Sequence, residues 1–423
     1  MAEENQARFW VPTRTYDFEV KIGKEDYSPD LYAINLITSI ESPYQVFQLD
    51  LFLDPHDIIT QQIYGQTPIK LTVRFLGPAN VGNVELERIQ FDLMPIDTKF
   101  TIPQYEIINT EEVNVGQMKD RRIFRITTVP RKPYSLMNQI VNGTYYGSRV
   151  SAIIREIFDE NFPGSTIRYD TIGKNSEVLQ QVLVPPTTFY EAIRYLNRTF
   201  GLFDGICAVH CDYNNVLHIM NLTSRIKLAH ALTLWHLASN VDSKDVLESE
   251  EKDNTIYYTY QEIVTGYSGN AAFSAMGPTN RFIISPRDTL TATISLDLET
   301  FASQYGLISK GKSFYYDKEA ISSVDRITYH KDHTGYDLTQ SFINANLGKR
   351  LSEMATLTAD ISKYMYIEPL LKVGHSVQVH SKVTEMKELV GKYILKASEV
   401  AFLRTQDWNS GARLYLIRTN RTD

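Results

Sequence analysis

Apolar and polar residues alternate with period two through much of the first hundred positions. Tyr16, Phe18, Val20 and Ile22 share one parity, and Asp17, Glu19 and Lys21 the other. Phe47, Leu49, Leu51 and Leu53 repeat the pattern, as do Ile69, Leu71, Val73 and Phe75. Successive strand side chains point to opposite faces, so each run predicts a strand with one buried face. Ser28-Pro29, Ser42-Pro43, Asp54-Pro55 and Gly77-Pro78 punctuate the runs as turn signals. Between Asn83 and Ile96 the phase slips: Val84 and Leu86 are even, Ile89 and Phe91 odd. One extra residue, a bulge, is the simplest account. Many short strands with regular turns predict a sandwich or barrel, here from about residue 14 to residue 112.

The period then changes. Lys119 to Lys132 carries Lys119, Arg121, Arg122, Arg125, Arg131 and Lys132 against Asp120 alone, and Phe124 and Ile126 flank Arg125. This predicts a strand with a basic face. Val150, Ile153, Ile154, Ile157 and Phe158 follow at the spacing of an amphipathic helix, ended by Phe162-Pro163-Gly164. A second helix is expected after Pro185-Pro186. Thr188 and Glu191 form a capping-box pattern, Phe189, Ile193, Leu196 and Phe200 make the stripe, and Gly201 is the stop. Beyond it, GICAVHCDYNNVLHIMNL reads as a hairpin turning at Asp212 to Asn215. A further helix is expected from about Asp337 to Leu357, after which LLKVGHSVQVHS, GKYILKAS and ARLYLIRT alternate as strands.

The chain is 423 residues long, with 43% hydrophobic and 22% charged residues, so a multidomain globular protein is expected. Tyr (26) and Phe (19) far outnumber Trp (3), which suits pleated, half-buried surfaces. A net charge of -7 argues against a dedicated nucleic-acid binder. Two cysteines exclude a disulfide framework, no apolar leader opens the chain, and no apolar run is long enough for a spanning helix. The expectation is synthesis in a reducing cytoplasm with no membrane insertion by this chain.

Candidate chemistry is sparse. Gly306 to Ser313 fits G-x-x-x-x-G-K-[ST], the loop that cradles phosphates. Its surroundings lack the buried strand before and the helix after, so it reads as a polar loop matching by chance. A nucleotide-dependent cytosolic enzyme is the corresponding alternative function. Cys207, His210 and Cys211 are close in sequence, but strand parity puts the cysteines on one face and the histidine on the other. His330 with His333, and His375 with His380, have no further ligand at metal spacing. No nucleophile motif is present, and no catalytic residue, cofactor site or metal site is assigned. Interaction candidates remain: the basic strand with Arg121, Arg122 and Arg125, and the acidic stretch with Asp242, Asp245, Glu248, Glu250 and Glu251.

Several segments together resemble the trimeric hub proteins of contractile phage tail baseplates, which are related to the hub part of secretion-system spikes. These are TYDFEVKIG with LYAINLITSIESPYQVFQLDLFLD, then VLVPPTTFYEAIRYLNRTFGLFDG (182–205), the hairpin ending Met220-Asn221-Leu222, and the closing strands LLKVGHSVQVHS, GKYILKASEVAFLR and ARLYLIRT. The resemblance implies a mainly β fold with α+β. Two tube-like antiparallel β-barrel domains (1–112; 205–232 with 331–423) would be separated by a small α+β domain (113–204). Residues 233–330 would be an insertion or contact domain. It also implies a non-enzymatic virion protein of the tail baseplate, assembled in the bacterial host cytoplasm. As a homotrimer it would adapt the sixfold tail tube to a threefold central spike. Its expected partners are the tube, spike, tape-measure and baseplate wedge proteins, with DNA only in transit. A tail-tip hub of a non-contractile tail or injection system is the related alternative.

Overall fold

The computed structural model describes residues 15–53, 67–76, 85–101, 122–176, 178–203, 207–225, 228–229, 231–236, 255–259, 264–267, 282–285, 327–330, 355–362, 367–381, 390–405 and 408–418. The fold is mainly β.

The first region holds β1 (Thr15–Ile22), β2 (Glu25–Asp26), β3 (Leu31–Ser39), β4 (Val46–Leu53), β5 (Ile69–Leu76), β6 (Glu85–Thr101) and β7 (Arg122–Pro130). They run β2-β1-β5-β6-β7-β4-β3 in one antiparallel sheet. The alternating apolar sets are all buried, from Tyr16 through Phe75. The phase slip is a bulge: Phe75 faces Glu87 while Leu76 faces Glu85, leaving Leu86 as the extra, exposed residue. The basic strand is shorter than expected. Pro130 ends it, and Arg131 already lies in a helix, because proline suits a helix start and offers no N–H to a sheet.

The middle region contains α1 (Arg131–Asn138), β8 (Ile140–Arg149), α2 (Val150–Asn161), β9 (Thr166–Tyr169), β10 (Val178–Thr188), α3 (Phe189–Phe200), β11 (Cys207–Cys211), β12 (Val216–Asn221) and the single turn α4 (Leu222–Arg225). Both long helices bury the predicted stripes. The Thr188 hydroxyl accepts the Glu191 N–H at 3.3 Å. Gly201 closes α3 at φ 73°, a conformation that favours glycine. β8 and β10 form an antiparallel ribbon whose register slips at Pro185-Pro186. β11 and β12 are the predicted hairpin, and β12 also pairs in parallel with β9. Helices and ribbon share a core of their own.

The last region comprises β13 (Leu232–His236), β14 (Thr255–Thr259), β15 (Val264–Tyr267), β16 (Phe282–Ser285), β17 (Ile327–His330), β18 (Ala355–Ser362), β19 (Ser376–Ser381), β20 (Gly391–Arg404) and β21 (Trp408–Arg418). The helix expected to Leu357 is corrected at its end. Residues 355–357 are strand, with Leu357 opposite Leu416. Leu357, Ala359 and Ile361 are all buried, so period two prevails where a partner strand is present. The rest of that expected helix lies outside the described residues.

β20 joins the two ends of the chain. Its first part, Gly391–Ile394, pairs with β19, and its second, Ala397–Leu403, pairs with β3 of the first region. At the seam the Ile40 N–H donates to the Lys396 carbonyl at 2.9 Å. β21 pairs with β20 from Tyr393 to Arg404. One continuous apolar core therefore includes side chains from both β regions.

Candidate interaction surfaces

Arg125 and Asp50 face each other across β7 and β4. The guanidinium grips the carboxylate with two bonds of 2.7 Å, from Nε to Oδ1 and from Nη2 to Oδ2. The charge of Arg125 thus already has an internal partner in this geometry. Arg122 opens β7 opposite Leu53. Arg121, the acidic set Asp242, Asp245, Glu248, Glu250 and Glu251, and the Gly306 to Ser313 loop lie outside the described residues.

The turn between β3 and β4 is where the regions meet. Glu41 pairs with Lys396 at 3.0 Å, and its carbonyl accepts the Tyr190 hydroxyl at 3.3 Å. The Pro43 carbonyl accepts the Cys211 N–H at 2.8 Å. The Gln45 side-chain amide donates to the Leu371 carbonyl at 3.1 Å. Turn residues 41–45 therefore tie the first sheet to α3, β11, β20 and the 3-10 turn Glu368–Leu371.

His210 lies under this turn, with Nδ1 3.1 Å from the Ser42 carbonyl. Strand parity holds as expected. Cys207 and Cys211 pack on the helical core while His210 faces the turn. Burial pushes both thiols up, so they stay protonated. Among the described residues no three His, Cys, Asp or Glu side chains converge to hold a metal.

A second polar tie joins the middle and last regions. Arg225 binds Asp170 through Nε at 2.7 Å and Nη2 at 2.9 Å, and its Nη1 approaches the Gly374 carbonyl at 3.5 Å. Gly374 has φ 81°, and a Cβ there would meet Met220 Sδ at 2.5 Å, so this turn requires glycine. A third tie is Glu87, beside the bulge, whose carboxylate accepts the N–H groups of Glu368 (2.9 Å) and Ile367 (3.3 Å).

These buried groups set a pH dependence. Burial lowers His210 to about 4. Burial, then Arg225 and Lys372, lowers His375 to about 4. Between there and the ordinary 6.5, the unfolded chain takes up protons that the native chain refuses. Their contribution to stability is present above 6.5 and is lost as pH falls toward 4. Glu87 works oppositely: burial raises it from 4.5 to about 6, so its contribution is lost as pH rises through that window. With two histidines against one glutamate, the urea midpoint is expected to drop between pH about 7.5 and about 5. His210→Gln is expected to flatten that drop. Parallel wild-type and variant profiles would refute the assignment.

Elsewhere the surface shows an apolar concentration that alternation alone did not mark. Ile140, Tyr146, Val178 and Leu183 stand exposed on the β8–β10 ribbon.

No protein-family model matches this chain, and no curated protein does. Solved structures do. Over 96% of this chain and 96% of the other, it superposes on the tail protein from Neisseria meningitidis MC58 with a TM-score of 0.55 at 10% identity. Over 96% and 97%, it superposes on the 43 kDa tail protein of prophage MuSo2 from Shewanella oneidensis with a TM-score of 0.51 at 12% identity. The chain shares its fold with two tail proteins. A looser likeness, TM-score 0.45 at 11% identity over 94% of this chain and 76% of the other, is to the E. coli c3393 protein, a component of the type VI secretion system.

Proposed function

We propose that this chain is a structural protein of a phage tail, acting as a trimeric baseplate hub. The observation that carries the reading is the extent of the shared fold. The likeness to two tail proteins runs over 96% of this chain, through both β regions and the α+β region between them. The hub reading deepens this with the architecture. In this reading each subunit offers two β sectors, one from each β region bridged by β20, so three subunits present six sectors to a tube and three copies to a spike. The central spike, tail tube, tape-measure and baseplate wedge proteins are the partners of such a hub. A net charge of -7 suits a channel that DNA passes without adhering to the wall. Four domains belong to the same proposal, 1–112, 113–204, 205–232 with 331–423, and 233–330, with β7 going to the first through its pairing with β4 and β6 and the β11–β12 hairpin going to the α+β domain through its helical core. The basic and acidic interaction candidates belong to it as well.

The test is the mass of the purified chain by native mass spectrometry, together with protein identification in purified particles. Three copies in solution and recovery with the tail fraction are expected. A monomer absent from tails overturns the proposal.

A further inference from the structure

The β8–β10 ribbon departs from the usual treatment of strand edges. Its two strands are ten and eleven residues long, IVNGTYYGSR and VLQQVLVPPTT, and Arg149 is the one charged residue in them. The inner face is accounted for. Val141, Tyr145, Leu179, Val182 and Val184 are buried in the helical core. The outer face is not. Tyr146 is 68% exposed, Leu183 62%, Ile140 61% and Val178 56%. The register sets Thr144 opposite Leu183 and Tyr146 opposite Gln181, so Tyr146 and Leu183 are diagonal neighbours on that face. Among the described residues the ribbon pairs with no third strand. Exposed strands normally carry lysines or other charges that block association. Here a chain with 22% charged residues leaves two long strands with an exposed face almost without charge.

We infer that the outer face of this ribbon packs against a second copy of the chain. The inference rests on the trimer reading and says where subunits touch. Charge narrows the occupant. Each copy carries -7, so copies repel unless their contact surface is itself free of like charge, and the ribbon supplies such a surface. A phosphate-bearing partner would need cations, and the ribbon has only Arg149, at its end. Size fits a partial contact. Two strands of ten residues at ~3.4 Å per residue and ~4.8 Å spacing present roughly 300–400 Å², against about 800 Å² per partner in a standard interface. The ribbon therefore supplements other subunit contacts.

Photo-cross-linking of the purified full chain tests this. p-Benzoylphenylalanine replaces Leu183 in one variant, Tyr146 in a second, and Arg194, exposed on α3, in a control. Irradiation of the native assembly is expected to give covalent chain-to-chain product at Leu183 and Tyr146 and none at Arg194. An assembled trimer that yields only single-chain material at both ribbon positions overturns the ribbon contact and leaves the trimer reading intact. A chain that stays monomeric at high micromolar concentration removes the trimer reading, and the ribbon contact with it.

Discussion

Phe402→Ala is expected to cost ~3–5 kcal/mol, the range for emptying a buried phenylalanine site. Phe402 is 1% exposed and sits on the part of β20 that pairs with β3. Its ring lies 4.7 Å from that of Tyr16 and 4.8 Å from that of Phe18, both on β1. Phe18 in turn meets Trp408 of β21 at 4.5 Å. The described partners of β1 are β2 and β5, so these rings hold β1 against β20 and β21 without strand pairing, beside the β20–β3 ladder. Truncation leaves a cavity that rigid sheet backbones on both sides cannot close. Leu403→Ala, one residue on and partly exposed, is the control and is expected to cost under about 1 kcal/mol. Urea unfolding of both variants decides the matter. Equal costs would show that the aromatic cluster does not hold β1 against β20.

Asp170→Leu is expected to cost ~2–4 kcal/mol, somewhat below the range for breaking a fully buried pair. The discount reflects exposure: the two side chains are 20% and 19% accessible, so water partly screens the stranded Arg225. The carboxylate does more than pair. Its Oδ2 also accepts the Asn221 N–H at 2.9 Å, so one group anchors the end of β12, α4 and the loop after β9. A double-mutant cycle with Arg225→Met isolates the pair. Arg225→Met is expected to cost at least ~1 kcal/mol less in the Asp170→Leu background than alone. Additive costs would mean that the bond to Asn221 matters and the ion pair does not.

Much of this architecture was legible in the residues because burial and period are local. Tyr16 to Ile22 had to present one apolar face whatever lay beneath it. The slip between Leu86 and Ile89 could only be absorbed by an extra residue, and the structure puts it at Leu86. Thr188 capped a helix because its hydroxyl could reach the Glu191 N–H. The opposite facing of His210 and the two cysteines followed from parity. The helix expected to reach Leu357 failed there because Leu357 also opens the period-two run Leu357, Ala359, Ile361, and the strand opposite, β21, chose between the two.

Alternation specifies which face of a strand is buried and says nothing about which strand lies beside it. That is why Arg125 and Asp50, each set between apolar neighbours, gave no sign of being partners until β4 and β7 were adjacent. The division of β20 between β19 and β3 was invisible for the same reason, as was the parallel pairing of β9 with β12. The ribbon shows the limit from the other side. Leu183 and Val184 are both apolar, and only the helices packed beneath one face determine that Val184 is core and Leu183 is surface. The sequence by itself determined the alternating strands of the first region, the two long helices, the Thr188 cap and the buried parity of each, because these depend on residues within a few positions. The tertiary structure decided partners, ion pairs and which apolar faces remain uncovered, because these depend on segments hundreds of residues apart reaching the same place.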